Sequence, residues 1–494
     1  MSASPSRPIV PGFHPDPSIC RVGETYYMAH SSFEYAPGIP IHRSHDLITW
    51  ELVGNVLPRI APVAFRPGGK QAGIWAVTLR HHADRFWLTT TDVSQPGRGQ
   101  LIVNAESPEG PWSEPVYVDG ALGIDPDLVW DPTGTCHLTW GAISQDLQGV
   151  TSVPVDPVTG KMLGRPRPLW AGTGLDSTEA PHLYLVDDWW YLLVAEGGTA
   201  RGHTVAVARA RSLDGPFEPA PHNPLLTHRS TAHPVQNVGH ADLVRTPDGS
   251  WAAVYLGVRS RGVTPGFHVN GRETFLAGVD WVDGWPVVDE HRFRVPVVDR
   301  SFEDRFTEQH LHPRWIAPAQ GPHTFTRPVP GGLELAADAE RTAPPMLLTR
   351  TLDEEWTAEV DLDVSRGAAR VLVRMDDAHW YGVTVAPEGA EAILAIGPAV
   401  APAGRHRVPR PDEVTVRLSA RLPTGSESFG PDLVELALVL DDGCVRAFGS
   451  FDGRYLSTEV VGGFTGRTWG VEALHGRPVV RRVRYVSTAA EEQR

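Results

Sequence analysis

Three carboxylates and an imidazole stand at equivalent places in a repeating pattern. Five segments share one plan: DPSICRVGETYYMAHSS from Asp16, WAVTLRHHADRFWLTTT from Trp75, DPDLVWDPTGTCHLTWGA from Asp125, EAPHLYLVDDWWYLLVAEGG from Glu179 and HADLVRTPDGSWAAVYLGV from His240. Their lead residues are 59, 50, 54 and 61 positions apart. A single Asp before Pro is best read as the cap of its own turn. A repeated cap, however, keeps one residue type, whereas these leads are Asp, Trp, Asp, Glu and His. A shared framework with chemically divergent leads is the pattern of a site grafted on a repeat. If the leads converge, two carboxyls face each other across a cleft, which suits cleavage of a glycosidic bond. One, kept protonated, donates to the leaving oxygen, and the other, ionised, activates water on the opposite face of the sugar. A third carboxylate holds the acid's pKa up by like-charge repulsion.

The elements that would bring these residues together are short strands. Each segment runs from its lead into an apolar strand, a tight turn and a second strand carrying Tyr27, Phe86, His137, Trp190 or Trp251. The turns include Val22-Gly23-Glu24, Asp131-Pro132-Thr133-Gly134 and Thr246-Pro247-Asp248-Gly249. A further turn recurs between segments: Ser44 to Trp50, Ser107 to Trp112 and Ser212 to Phe217. With 94 Gly and Pro among 494 residues, the chain has little room for long helices. A strand-only repeat of this length predicts a five-bladed β-propeller, with the leads at one mouth of its central channel. From about residue 298 the pattern changes to period-two alternation, as in Thr357–Val364, Val371–Met375, Val414–Leu418 and Val434–Leu440, which predicts a β-sandwich. The expected class is therefore all-β, with a propeller over 1–297 and a sandwich over 298–494.

Composition narrows the partners. The net charge is −15, and the 44 basic residues, all arginine except Lys70 and Lys161, are scattered. No basic stripe exists to displace the counterions of a nucleic acid, and an anionic polymer is disfavoured. A neutral substrate is compatible. Cys20, Cys136 and Cys444 are distant from one another and odd in number, so neither a disulfide framework nor a zinc cluster is expected. His81-His82 is read as a solvated turn pair that cannot chelate one ion. No apolar run is long enough to span a membrane. The N-terminus lacks a basic stretch followed by an apolar one, so the expected compartment is the cytoplasm. A homo-oligomer is compatible with the sequence.

Residues 10–50, VPGFHPDPSICRVGETYYMAHSSFEYAPGIPIHRSHDLITW, closely resemble the opening of glycoside hydrolase family 43, in particular its β-xylosidase branch. The likeness continues through Gly73-Ile74-Trp75-Ala76, GIDPDLVWD from Gly123, TEAPHLYLVDDWWYLLVAEGGT from Thr178, QNVGHADLV from Gln236 and GRETFL from Gly271. Further on, SFEDRF from Ser301 and RYLSTEVVGGFTG from Arg454 resemble the start and the closing loop of the concanavalin-like C-terminal domain in the same branch. The resemblance implies Asp16 as general base, Asp125 as pKa modulator and Glu179 as general acid. It implies His240 on the channel axis, Arg272 on the sugar hydroxyls, Phe33 and Trp75 as apolar walls, and Phe464 at the tip of a loop that closes the pocket. Two positions depart from the family: Val77 stands where proline is usual, and Asp127 where serine is frequent. Asp127 is given no role, and Glu196 reads equally as a sugar contact or as an acid in a strand-end turn. No cofactor is required, although the family allows a calcium ion beside His240. The expected activity is inverting release of terminal xylose from short β-1,4-xylo-oligosaccharides, with terminal α-L-arabinofuranose as a second substrate. The alternatives are a dedicated α-L-arabinofuranosidase and, from another class, a non-catalytic sugar-binding protein.

Overall fold

The computed structural model describes residues 7–58, 72–95, 97–143, 148–262, 266–337, 343–408, 410–424, 430–440 and 442–488; Lys70 lies outside them. Five antiparallel sheets follow in chain order, each led by its innermost strand: Ser18–Val22, Ile74–His82, Gly123–Trp130, Glu179–Val186 and Val235–Arg245. Each sheet runs outward through four strands, and the third carries an additional one, Arg167–Trp170. This is the five-bladed propeller, with the leads at or beside the start of the inner strands. Apolar side chains of neighbouring sheets interlock: Ile39 and Ile41 of the first blade pack with Leu79, Leu88 and Val103 of the second. The ring closes through the N-terminal segment, where Val10 bridges Thr274 of the last blade. A bridge from Phe33 to Ile74 ties the first blade to the second. The strand from Ile74 continues through His82, so His81-His82 is a strand end and not a turn; the His82 ring stacks on Trp130 at 4.4 Å.

The inner strands are broken where the leads lie. Ladder register slips between Ile74 and Val77, Ile124 and Asp127, Glu179 and His182, and on either side of Gly239. Within or beside these irregular stretches the backbone is left-handed at Asp125 (φ 56°), Ala180 (51°), Asn237 (58°) and His240 (47°), and it is so too at Asp16 (54°), just ahead of the first inner strand. Bulges of this kind re-aim side chains. A non-glycine residue in this region costs about 1–3 kcal/mol and survives only where its surroundings fix it.

The last sheet of the propeller ends at Asp289 and the first sandwich strand begins at Phe302. One sandwich sheet is centred on Trp356–Asp363, Val414–Arg421 and Val479–Ser487, the other on Gly367–Arg374 and Thr468–Gly476. Burial alternates strictly along Trp356–Asp363, as a sheet with one face in the core requires. The two domains share a core. Phe13 and Tyr35 of the propeller pack with Ile316, Met346, Leu348 and Leu372, and Ala317–Pro318 pairs with Tyr35–Ala36. Across the seam Arg374 donates to the Tyr35 hydroxyl at 2.7 Å. No helix among the described residues is long and apolar enough to cross a membrane.

Candidate active site

The channel mouth gathers Asp16, Asp125, Glu179, His240 and Arg272. Asp16 is only 4% exposed. It accepts from Arg272 Nη1 at 3.0 Å and from the Ser31 hydroxyl, and His240 Nδ1 lies 3.6 Å away. Burial alone would raise this carboxyl. The Arg272 guanidinium, His240 and Ser31 more than reverse that, and its pKa falls below the usual value. Asp125 and Glu179 have no such cation of their own. Burial, then the neighbouring Glu179 and Asp16 charges, push Asp125 well above the usual carboxylate range. Burial, then Asp16, raise Glu179 to about 7, with Asp176 adding to the effect. The mouth therefore holds one carboxylate that ionises readily beside two that resist it. Environments pushed apart in this way separate a base from an acid.

Directly beneath lies a second charged tier that the sequence reading did not find. Arg80 reaches Asp127 at 3.0 Å, Asp242 at 2.8 Å and His182 Nδ1 at 2.9 Å, and contacts the Ser18 hydroxyl at 3.3 Å. Asp127 also accepts from the Leu183 amide at 3.1 Å, and Asp242 from Ser18, the Ile19 amide and the Tyr184 hydroxyl. Asp127 and Asp242 are fully buried. Asp127, to which the sequence assigns no role, is thus an ion-pair partner one step deeper on the axis. The signal was present: Ser18, Asp127 and Asp242 each follow their lead by two positions, and His182 by three.

One wall of the mouth is aromatic and comes from both domains. The Phe464 ring stacks on Phe33 at 5.8 Å and meets Trp75 edge-on at 5.1 Å. The Arg272 guanidinium lies 5.3 Å from Phe464 and 5.7 Å from Phe33. The loop carrying Phe464 includes the short helix Thr458–Val461. It is seated on the last blade by hydrogen bonds from Thr458 N to His268 O and from Arg467 N to Val269 O, at 3.2 and 2.9 Å. Glu459 accepts from the His268 amide and pairs with its ring at 2.8 Å. Gly466 is pressed against the chain at Asn270-Gly271, where a Cβ would lie 2.3 Å from the Asn270 carbonyl.

Glu196 is fully buried. It accepts from the Thr173 amide and hydroxyl, both at 2.7 Å, and from Thr178 at 3.2 Å, so it fastens the loop leading to Glu179. Thr199, unnoticed in the sequence, accepts from Arg272 at 3.0 Å. Among the described residues no group of three or more His, Cys, Asp or Glu is arranged around a metal ion. Around His240, Asp16 pairs with Arg272, His182 Nδ1 with Arg80 and His203 Nδ1 with the Asn237 carbonyl at 3.0 Å, while His182 Nε2 and His203 Nε2 are buried without a hydrogen-bond partner among the described residues.

Known proteins share this architecture. The family model described as Glycosyl hydrolases family 43 matches residues 5–286, and that of the Beta xylosidase C-terminal Concanavalin A-like domain matches 303–478. The Non-reducing end alpha-L-arabinofuranosidase BoGH43B of Bacteroides ovatus is 33% identical over 94% of this chain and 90% of its own. A Xylosidase/arabinosidase of Butyrivibrio fibrisolvens is 44% identical, over 58% of this chain and 56% of its own. Among solved structures, the Bacteroides ovatus Xyloglucan PUL GH43B superposes with a TM-score of 0.86 at 31% identity, covering 98% of this chain and 99% of that one. The xylan beta-1,4-xylosidase of Bacillus halodurans gives 0.83 at 27% identity, covering 98% and 100%. Catalysis in this family needs no cofactor. The chain thus belongs to glycosyl hydrolases family 43, a glycoside hydrolase whose five-bladed propeller is followed by a concanavalin-like sandwich.

Proposed function

We propose that the chain is an inverting exo-glycosidase that removes a terminal pentose, xylose from short β-1,4-xylo-oligosaccharides and α-L-arabinofuranose from arabinosides. The observation that carries this reading is the contrast at the channel mouth. Asp16 is drawn down by Arg272, while Glu179 is held up at about 7. In this reading Glu179 protonates the glycosidic oxygen as the bond breaks. Asp16 takes a proton from the water that attacks the anomeric carbon from the other face. Asp125 keeps the acid protonated, and Arg272 holds the sugar while pairing with the base. Phe33, Trp75 and Phe464 supply an apolar surface for the sugar ring and exclude water from the charged site.

A dedicated arabinofuranosidase is favoured by one observation, the match to the Bacteroides ovatus arabinofuranosidase along nearly the whole chain. Nitrophenol release from the β-xyloside and the α-arabinofuranoside, assayed side by side, separates the readings. Comparable turnover of both supports the dual activity, and turnover of the arabinofuranoside alone selects the second. No turnover of either would sink both readings in favour of a sugar-binding role. Proton NMR early in the reaction tests the stereochemistry: the α-anomer of xylose should appear first from a β-xyloside. A β-anomer appearing first would mean that Asp16 acts as a nucleophile.

A further inference from the structure

We propose that Arg80 is a positioning residue for the catalytic acids: a fixed cation on the propeller axis that pins all five inner strands one step below the mouth. The inference rests on the assignment of Glu179 as the acid.

The geometry is specific. Arg80 projects from the inner strand of the second blade and touches a side chain from each of the other four: Ser18 of the first, Asp127 of the third, His182 of the fourth and Asp242 of the fifth. Three of these lie two residues beyond Asp16, Asp125 and His240, and the fourth lies three beyond Glu179. In the last three blades the register slip falls between lead and anchor. Each mouth residue thus sits at or beside a left-handed kink, with Arg80 clamping the strand immediately past it. A planar fork is suited to this task because it can address several acceptors at once in fixed directions. A flexible ammonium on the same strand cannot.

The clamp also sets charge. The groups facing Arg80 are Asp127, Asp242, His182 and Tyr184, with the buried Cys20 nearby. Asp16, Arg272 and Asp176 face Glu179, which is itself coupled to Asp125. Without the guanidinium, Asp127 and Asp242 form an uncompensated pair under the acids, and like charge below favours the protonated form above. Removing Arg80 therefore misplaces the acids and raises the pH at which Glu179 loses its proton.

The test compares R80M and R80K with the wild type on whichever pentoside the enzyme hydrolyses, with folding checked by circular dichroism and melting temperature. R80M should lose about 10²-fold in kcat, the scale of a small misplacement of catalytic groups, with KM little changed, and its alkaline limb should move to higher pH. R80K, which keeps the charge but not the fork, should lose kcat while its limb stays at the wild-type position. Wild-type kcat and pH limits in folded R80M would overturn the proposal. Equal losses in both variants with unmoved limbs would also overturn it, leaving Arg80 a brace of the fold. If R80M does not fold, R80K decides alone: reduced kcat with a wild-type limb supports the proposal, and unaltered kcat defeats it. Glu179→Gln, measured in parallel, tests the underlying assignment separately, since unimpaired turnover there would remove the acid itself.

Discussion

At the scale of single residues, the site works by giving chemically similar carboxyls different surroundings. Asp16 has Arg272 at 3.0 Å and the Ser31 hydroxyl, whereas Glu179 has burial and a neighbouring negative charge. Asp16→Asn and Glu179→Gln should each reduce turnover by about 10²–10⁴-fold, the usual contribution of a general base or acid. Circular dichroism should show both variants folded. The sign of the pH dependence follows from the same surroundings. Asp16 is ionised from the acidic end of the range upward, and Glu179 is protonated only up to about 7. The kcat/KM profile should therefore be sustained through weakly acidic pH and fall as pH rises through about 7. In Asp125→Asn one neighbouring carboxyl is gone, so Glu179 ionises against fewer like charges, with only Asp16 and Asp176 remaining. The alkaline limb should shift to lower pH, with the greatest loss on substrates with poor leaving groups. An alkaline limb unmoved by Asp125→Asn would reduce that residue to the turn former that Asp-Pro suggests.

At the scale of elements, the repeat was legible and the kinks inside it were not. Five leads at near-even spacing, each followed by strand, turn and aromatic strand, specify five blades because each unit must bury its apolar faces against the next. The left-handed backbone at Asp125 and His240 has no sequence signature, since neither is glycine and only the surrounding contacts hold it. Arg80 carries no such signature, because its meaning depends on partners 47 to 162 positions away. Glu196 reads equally as a sugar contact or as a strand-end turn acid, for a related reason. Local sequence does not show that its carboxylate accepts from the loop at Thr173 and Thr178. The closing loop could be located only through its family likeness, and its seating depends on contacts with the last blade. Phe464→Ala removes contacts worth about 1 kcal/mol, so KM for xylobiose should rise by roughly fivefold, and less for an aryl xyloside. Glu459→Gln weakens the tether to His268 and should shift KM in the same direction. An unchanged KM in both variants would show that the loop does not bound the sugar site.

At the scale of the whole molecule, the sandwich is joined to the propeller and brings Phe464 against Phe33 and Trp75 at the channel mouth. Each domain keeps its own apolar core, and a further cluster of Phe13 and Tyr35 with Ile316, Met346, Leu348 and Leu372 joins them across the seam. Ion pairs from Arg259 and Arg261 of the last blade to Glu354, and from Arg261 to Asp432, brace the same joint. Arg467, also paired with Asp432, donates to the Leu456 carbonyl at the base of the closing loop. Phe464 therefore arrives at the mouth on a rigid support rather than on a free loop. In the proposed reading, a mouth walled in this way admits a chain end and not a chain interior, because a polymer passing through would have to displace Phe464 from Phe33 and Trp75. Digestion of xylohexaose makes the consequence measurable. Xylose should accumulate from the first time point, with xylopentaose and then xylotetraose following as each chain loses one unit. Early xylotriose or xylobiose without xylose would mean internal cleavage. The aromatic wall would then be an open platform along which a chain can lie, and the rigid joint would serve stability alone.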